Sequence, residues 1–116
     1  MASYKKERLE NDIIRLINRT VIHEIYNETV KTGHVTHVKL SDDLLHVTVY
    51  LDCYNREQID RVVGAFNQAK GVFSRVLAHN LYLAKAVQIH FVKDKAIDNA
   101  MRIESIINSL KKSKPN

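Results

Sequence analysis

The stretch Gln68-Ala69-Lys70-Gly71 joins two helical patterns, and its reading decides the fold. Upstream, Ile59, Val62, Val63 and Phe66 recur at helical spacing over Arg56 to Gln68, with Asn55 placed to cap the first turn. Downstream, Val72, Phe73, Val76, Leu77 and Leu81 continue the period over Val72 to Leu83. Between the two stripes, Ala69 lets helices approach closely and Gly71 can relieve strain at a sharp bend. The two stripes therefore read as one bent helix pair.

The flanks supply what the pair packs on. Leu9, Ile13, Ile17, Val21 and Ile25 recur every four residues, with Ile14 and Leu16 widening the stripe. They predict a helix over residues 5–30, with Glu7, Glu10 and Asp12 in its early turns and Lys31-Thr32-Gly33 as its stop. Val35 to Leu40 reads as a strand with Thr36, Val38 and Leu40 on one face. Ser41-Asp42-Asp43 is a polar turn into a partner strand, Leu44 to Asp52. There Leu45, Val47, Val49 and Leu51 form an apolar face for the helices, while Leu44, His46, Thr48 and Tyr50 form a mixed, half-exposed one. Val87, Ile89 and Phe91 alternate with Gln88, His90 and Val92 in a third strand. Asp94 is placed to cap a last helix, from about residue 95 to 110, with Ala96, Ala100, Ile103, Ile107 and Leu110 as its stripe. The order is α-β-β-α-kink-α-β-α, an α+β domain over residues 5–110 with a three-stranded sheet and helices on one face. Residues 111–116 read as a basic, disordered tail.

Composition narrows the function. At 116 residues and 45% hydrophobic content the chain is long enough for one real core. A lone Cys53 excludes an internal disulfide and fits a reducing cytoplasm. No apolar run follows the N-terminus, and no stretch approaches the ~20 apolar residues of a membrane span. The net charge of +5 is concentrated in residues 56–95, which carry seven Lys/Arg against three acids. Such a surface favours an anionic partner, nucleic acid before membrane. There is no glycine-rich phosphate loop, no Ser-His-Asp arrangement and no helical carboxylate pair, so the chain does not read as an enzyme. His34 and His37, with His46 across the hairpin, lack the partners of a metal site, and no metal or cofactor is expected.

Several motifs carry a family resemblance. The hairpin reads Val35-Thr36-His37-Val38, then Ser41-Asp42-Asp43-Leu44, then Val49-Tyr50, close to V-T-x-V-x-x-S-x-D-L followed by V-Y. The corner reads Ala69-Lys70-Gly71, an A-x-G where K-homology domains carry a G-x-x-G loop that clamps nucleotide backbone. Ile89-His90-Phe91 with Asp94 fits the last strand. Over residues 5–110 the chain resembles the bacterial ribosome-binding factor A family, which has a type II K-homology-like fold. Ser74 and Ala84 stand where that family often has arginine, with Arg75 and Lys85 one step on, and Val87 replaces a common proline. The resemblance implies a non-enzymatic factor that binds the free 30S small subunit and 16S rRNA. It also implies a part in late 30S maturation and 5′-end rRNA processing, above all in the cold. Such a factor would act as a cytoplasmic monomer, with ribosomal proteins and an assembly GTPase as further candidate partners.

The candidate RNA-binding residues are Ala69, Lys70, Gly71 and Arg75 at the corner, with Arg61, Arg56 and Lys85 extending a phosphate track along the helix pair. Ala69 and Gly71 serve equally as plain bend formers, and each cation equally as part of a solvated face. Lys39, Lys93, Lys95 and the tail lysines 111, 112 and 114 are weaker candidates, and Tyr50 and Tyr82 could stack on unpaired bases. Two readings compete with RNA binding. One is a protein-interaction module that uses the mixed sheet face without direct RNA recognition. The other is a small α+β hydrolase.

Overall fold

The computed structural model describes residues 2–81, 87–96, 103 and 106–110. Helix α1 (Ala2–His23) and a short α2 (Glu28–Lys31) lead into strands β1 (Gly33–Leu40) and β2 (His46–Cys53). A 3-10 turn (Arg56–Gln58) then opens helices α3 (Ile59–Gln68) and α4 (Lys70–Leu81), followed by strand β3 (Gln88–Lys93). Residues 95–96, 103 and 106–110 are also helical. The sheet runs β1-β2-β3, with β1 antiparallel and β3 parallel to β2. A parallel neighbour cannot be reached through a tight turn, so the chain crosses over the sheet, and the α3–α4 pair is that crossover. This is the expected α+β, K-homology-like architecture.

The strand alternation builds the core. Rows Leu40–Val47–Ile89 and Val38–Val49–Phe91 cross the three strands, and all six side chains are buried. Ile13 and Ile17 of α1, Ile59, Val62 and Phe66 of α3, and Phe73 and Leu77 of α4 bury against them. Each such side chain contributes about 1.5–3 kcal/mol of transfer free energy. Strand β1, at the sheet edge, is also held by side chains. Glu10 and Asn18 of α1 accept the Leu40 and Val35 amides, at 2.7 and 3.3 Å. An edge whose amides are engaged in this way is a poorer template for strand addition.

Several boundaries differ from the sequence reading. The first helix is not continuous over residues 5–30: α1 ends at His23, and Asn27 starts α2 by accepting the Thr29 and Val30 amides at 2.9 and 3.2 Å. An asparagine side chain competes for backbone amides in this way. Ile25 stays buried, so the four-residue period continues across the break. Gly33 is not the helix stop; Thr32 caps α2 and Gly33 begins β1. A bulge between Val35 and His37 shifts the β1 face, so that Val35, not Thr36, joins Val38 and Leu40 inside. Strand β2 begins two residues later than expected, because Leu44, at φ 61°, closes the turn by donating its amide to the Ser41 carbonyl at 3.0 Å. Asp94 does cap the last helix, accepting the Ala96 amide at 3.0 Å, and its other oxygen accepts the Thr36 hydroxyl at 2.5 Å. Ile103, Ile107 and Leu110, read as a packing stripe, are exposed together with Ile106. Ala100 and residues 111–116 lie outside the described residues.

The Asp43 carboxyl is held below the usual carboxylate range, first by the Ser41 hydroxyl and then by the Leu45 amide, both of which donate to it. Because the folded value is depressed, this support of the turn is present at neutral pH and is lost as pH falls through the carboxylate range.

Gly33 is required for close approach. A Cβ there would lie 2.5 Å from Val62 Cγ1 and 2.9 Å from Phe66 Cε2, both on buried side chains of α3. We expect Gly33→Ala to destabilise the fold by about 1–3 kcal/mol, the range for overpacking a tight core. Urea unfolding would measure this, and unchanged stability would contradict the tight seating of α3 on β1.

Candidate nucleic-acid interface

The corner is set from below by aromatic packing. Phe66 of α3, Phe73 of α4 and Phe91 of β3 are the three phenylalanines of the chain, and all are buried. Phe66 stacks on Phe73 with centroids 5.6 Å apart, and each lies 5.2 Å from Phe91, tilted or edge-on. Such pairs are worth about 0.5–1.5 kcal/mol beyond their burial. Asn67 adds a directional clamp: its amide accepts the Phe91 N–H at 3.3 Å and donates to the Phe91 carbonyl at 3.2 Å. The end of α3 is thus bound to the β3 edge as a neighbouring strand would be.

The turn that follows is a single residue. Ala69, at φ −93° and ψ 7°, ends α3, and its amide bonds back to the Ala65 and Phe66 carbonyls. Its own carbonyl accepts the Val72 amide at 3.0 Å, so α4 starts at once with Lys70. Ala69 is half-buried against the core, while Lys70 and Gly71 are exposed. Gly71 does not relieve strain, contrary to the sequence reading: it has no positive φ, and beyond its chain neighbours and the local helix backbone no atom lies within 4 Å of where its Cβ would stand. Gly71 and Arg75 stand four residues apart, so they share an outward stripe of α4 opposite buried Phe73 and Leu77. Lys70 and Arg75 are thus exposed cations near the positive end of α4, in the same stretch as Gly71.

The other sequence candidates divide. Arg61 is exposed on α3. Arg56 is drawn inward instead: its guanidinium donates to Asp52 at 2.7 Å, and the two side chains are only 15% and 19% exposed. It pins the 3-10 turn to β2. Lys85 and Tyr82 lie outside the described residues. The sequence reading missed a basic stripe on α1. Arg15, Arg19 and His23 are exposed at four-residue spacing, and that spacing was the available signal. Arg15 is ion-paired with Asp12. Arg19 and His23 line a groove with Val76 and Asn80 of α4, with Glu24 as its acid. Among the described residues no three His, Cys, Asp or Glu side chains converge to hold a metal ion. Burial, then the nearby Asp52 carboxylate, pushes the Cys53 thiol up, which disfavours the reactive thiolate.

The sequence profile of ribosome-binding factor A matches residues 5–107. A relative of that name from Mycoplasma genitalium is 70% identical over 111 residues, covering 96% of this chain and 99% of its own. This chain belongs to the ribosome-binding factor A family. The family is not one of enzymes. A crystal structure and a fitted homology model share its fold. The crystal structure of ribosome-binding factor A from Thermus thermophilus superposes with a TM-score of 0.67 at 20% identity, over 76% of this chain and 94% of that one. A homology model of the Thermus thermophilus factor, fitted into a cryo-EM map of its 30S complex, superposes with a TM-score of 0.60 at 19% identity, over 76% of this chain and 93% of that one. No described helix is long and apolar enough to cross a membrane.

Two substitutions separate structural from surface roles. Gly71→Ala is expected to leave stability unchanged or to raise it by about 0.5–1 kcal/mol, since alanine is the better helix former. Arg56→Ala is expected to lose about 1–3 kcal/mol, because it leaves a partly buried Asp52 without its charged partner. Thermal unfolding of both variants decides. A destabilised Gly71→Ala would mean the bend needs glycine, and a fully stable Arg56→Ala would mean the ion pair is not a pin.

Proposed function

We propose that this chain is a ribosome assembly factor that binds the free 30S subunit through 16S rRNA. It would aid late maturation of the subunit and 5′-end rRNA processing, with the greatest demand in the cold. Family membership carries this reading, supported by a homology model of the Thermus thermophilus factor fitted into a map of its 30S complex. Mechanism follows from the surface, with no bond chemistry needed. Lys70, Arg75 and Arg61 provide cations, and the bare backbone at Gly71 admits a phosphate that a larger side chain would hold off. Arg19 extends the same charge onto α1. Contacts of this kind position a protein on RNA and favour the RNA arrangement that fits it. In this reading the protein works as a cytoplasmic monomer, with ribosomal proteins and an assembly GTPase as further candidate partners.

The test is co-sedimentation with free small subunits, large subunits and whole ribosomes across a salt series. Binding confined to free small subunits and falling steeply with salt is expected. The double variant Lys70→Ala/Arg75→Ala should bind less and lower the salt slope by ~1–2. No association at low salt would reject the reading, and an unchanged slope would remove these two residues from the interface.

A further inference from the structure

The described helices α1, α3 and α4 pack on one face of the sheet, and the outward positions of the other face carry an unusual set of side chains. His37 of β1 lies against Tyr50 of β2, ring centroids 5.6 Å apart and tilted by 32°. His46 of β2 and His90 of β3 are near-parallel, 5.9 Å apart at 17°. Thr48 links the two pairs, registered with Lys39 on one side and His90 on the other. The three imidazoles are exposed and Tyr50 half so. Val92 is the one aliphatic side chain at these outward strand positions.

We propose that this face is a second RNA surface, which holds unpaired bases by stacking on its four rings. The inference rests on the RNA-binding reading above and adds the class of RNA: single-stranded segments, where the helix corner takes phosphates. Every base has a π face, so rings held at fixed spacing on strands form a sequence-tolerant platform. The concave end of the face suits a splayed base. There the rings of His37 and Tyr50, with Val92 and Ala96, form a largely apolar hollow with Lys95 at its lining.

Charge complementarity favours RNA over a protein partner. Lys39 stands exposed on β1, and Lys95 lines the hollow. The nearby acids are engaged within the fold. Asp94 is held by the Thr36 hydroxyl and the Ala96 amide, Asp52 by Arg56, and Asp43 by Ser41 and Leu45. A face with cations, rings and one aliphatic residue matches an anionic polymer of flat bases, and offers little of the apolar core that protein interfaces bury.

Fluorescence anisotropy of the full chain tests this with a labelled short oligoadenylate and a labelled short RNA duplex. His46→Ala and His90→Ala remove exposed rings and should leave thermal unfolding unchanged. Each is expected to weaken oligoadenylate binding about five-fold or more, while duplex binding stays constant. Tyr50→Phe keeps its ring and should bind oligoadenylate normally. The corner variant Lys70→Ala/Arg75→Ala should weaken duplex binding. Unchanged oligoadenylate affinity in the His46→Ala/His90→Ala double variant overturns the proposal. If only the corner variant loses RNA, the assembly-factor reading stands and the sheet platform falls. If the double variant loses small-subunit binding but keeps oligoadenylate, the face serves a protein partner and the proposal also falls. No RNA binding by the unaltered chain overturns both.

Discussion

The packing of Phe66, Phe73 and Phe91 under the helix corner is the contact on which the rest of the structure depends. It ties together the two helices and the strand that a crossover must bring together. Truncating any one ring would open a cavity in a fully enclosed site, a change that costs about 3–5 kcal/mol in typical cores. Asn67 gives this apolar contact a direction, because its paired bonds to Phe91 fix the end of α3 along the β3 edge. With both in place, Ala69 has one position available and α4 must leave at once. The outward display of Lys70, Gly71 and Arg75 is thus a consequence of core packing.

Much of this was legible in the sequence, and the reasons differ by element. Strand β2 shows strict alternation, and its Val47, Val49 and Leu51 are fully buried as that alternation requires. The corner was legible from Ala69-Lys70-Gly71 itself, standing between two helical stripes whose spacing continues across it. The break at Asn27 was hidden, since Ile25 preserves the period that the asparagine interrupts. Gly33 looked like a helix stop because its true constraint is tertiary: Val62 and Phe66 come from a helix much further along the chain. Arg56 looked like any other surface cation, because its pairing with Asp52 depends on how the chain turns after β2. The bulge in β1 had no signal in composition, and it exchanged Val35 for Thr36 in the core.

The same physics gives the molecule two unlike sides. The helix side carries exposed cations: Lys70 and Arg75 on α4, Arg61 near the start of α3, and Arg19 of α1 beside the far end of α4. The sheet side carries rings held in register by strand pairing. Phosphate contacts position a protein and stacking captures unpaired bases, so the proposed surfaces would act on different parts of one folded RNA. A factor built this way would fit an RNA region where helices meet single strands, and it would exert its effect by binding one arrangement better than another.

The central claim is that the helix corner meets RNA on the small subunit. Amide hydrogen exchange of the protein, alone and with purified free small subunits, tests it most directly. The account predicts slowed exchange at residues 70–75 with small subunits and none of this with large subunits. Unchanged exchange across 70–75, with protection confined to other segments, would contradict it.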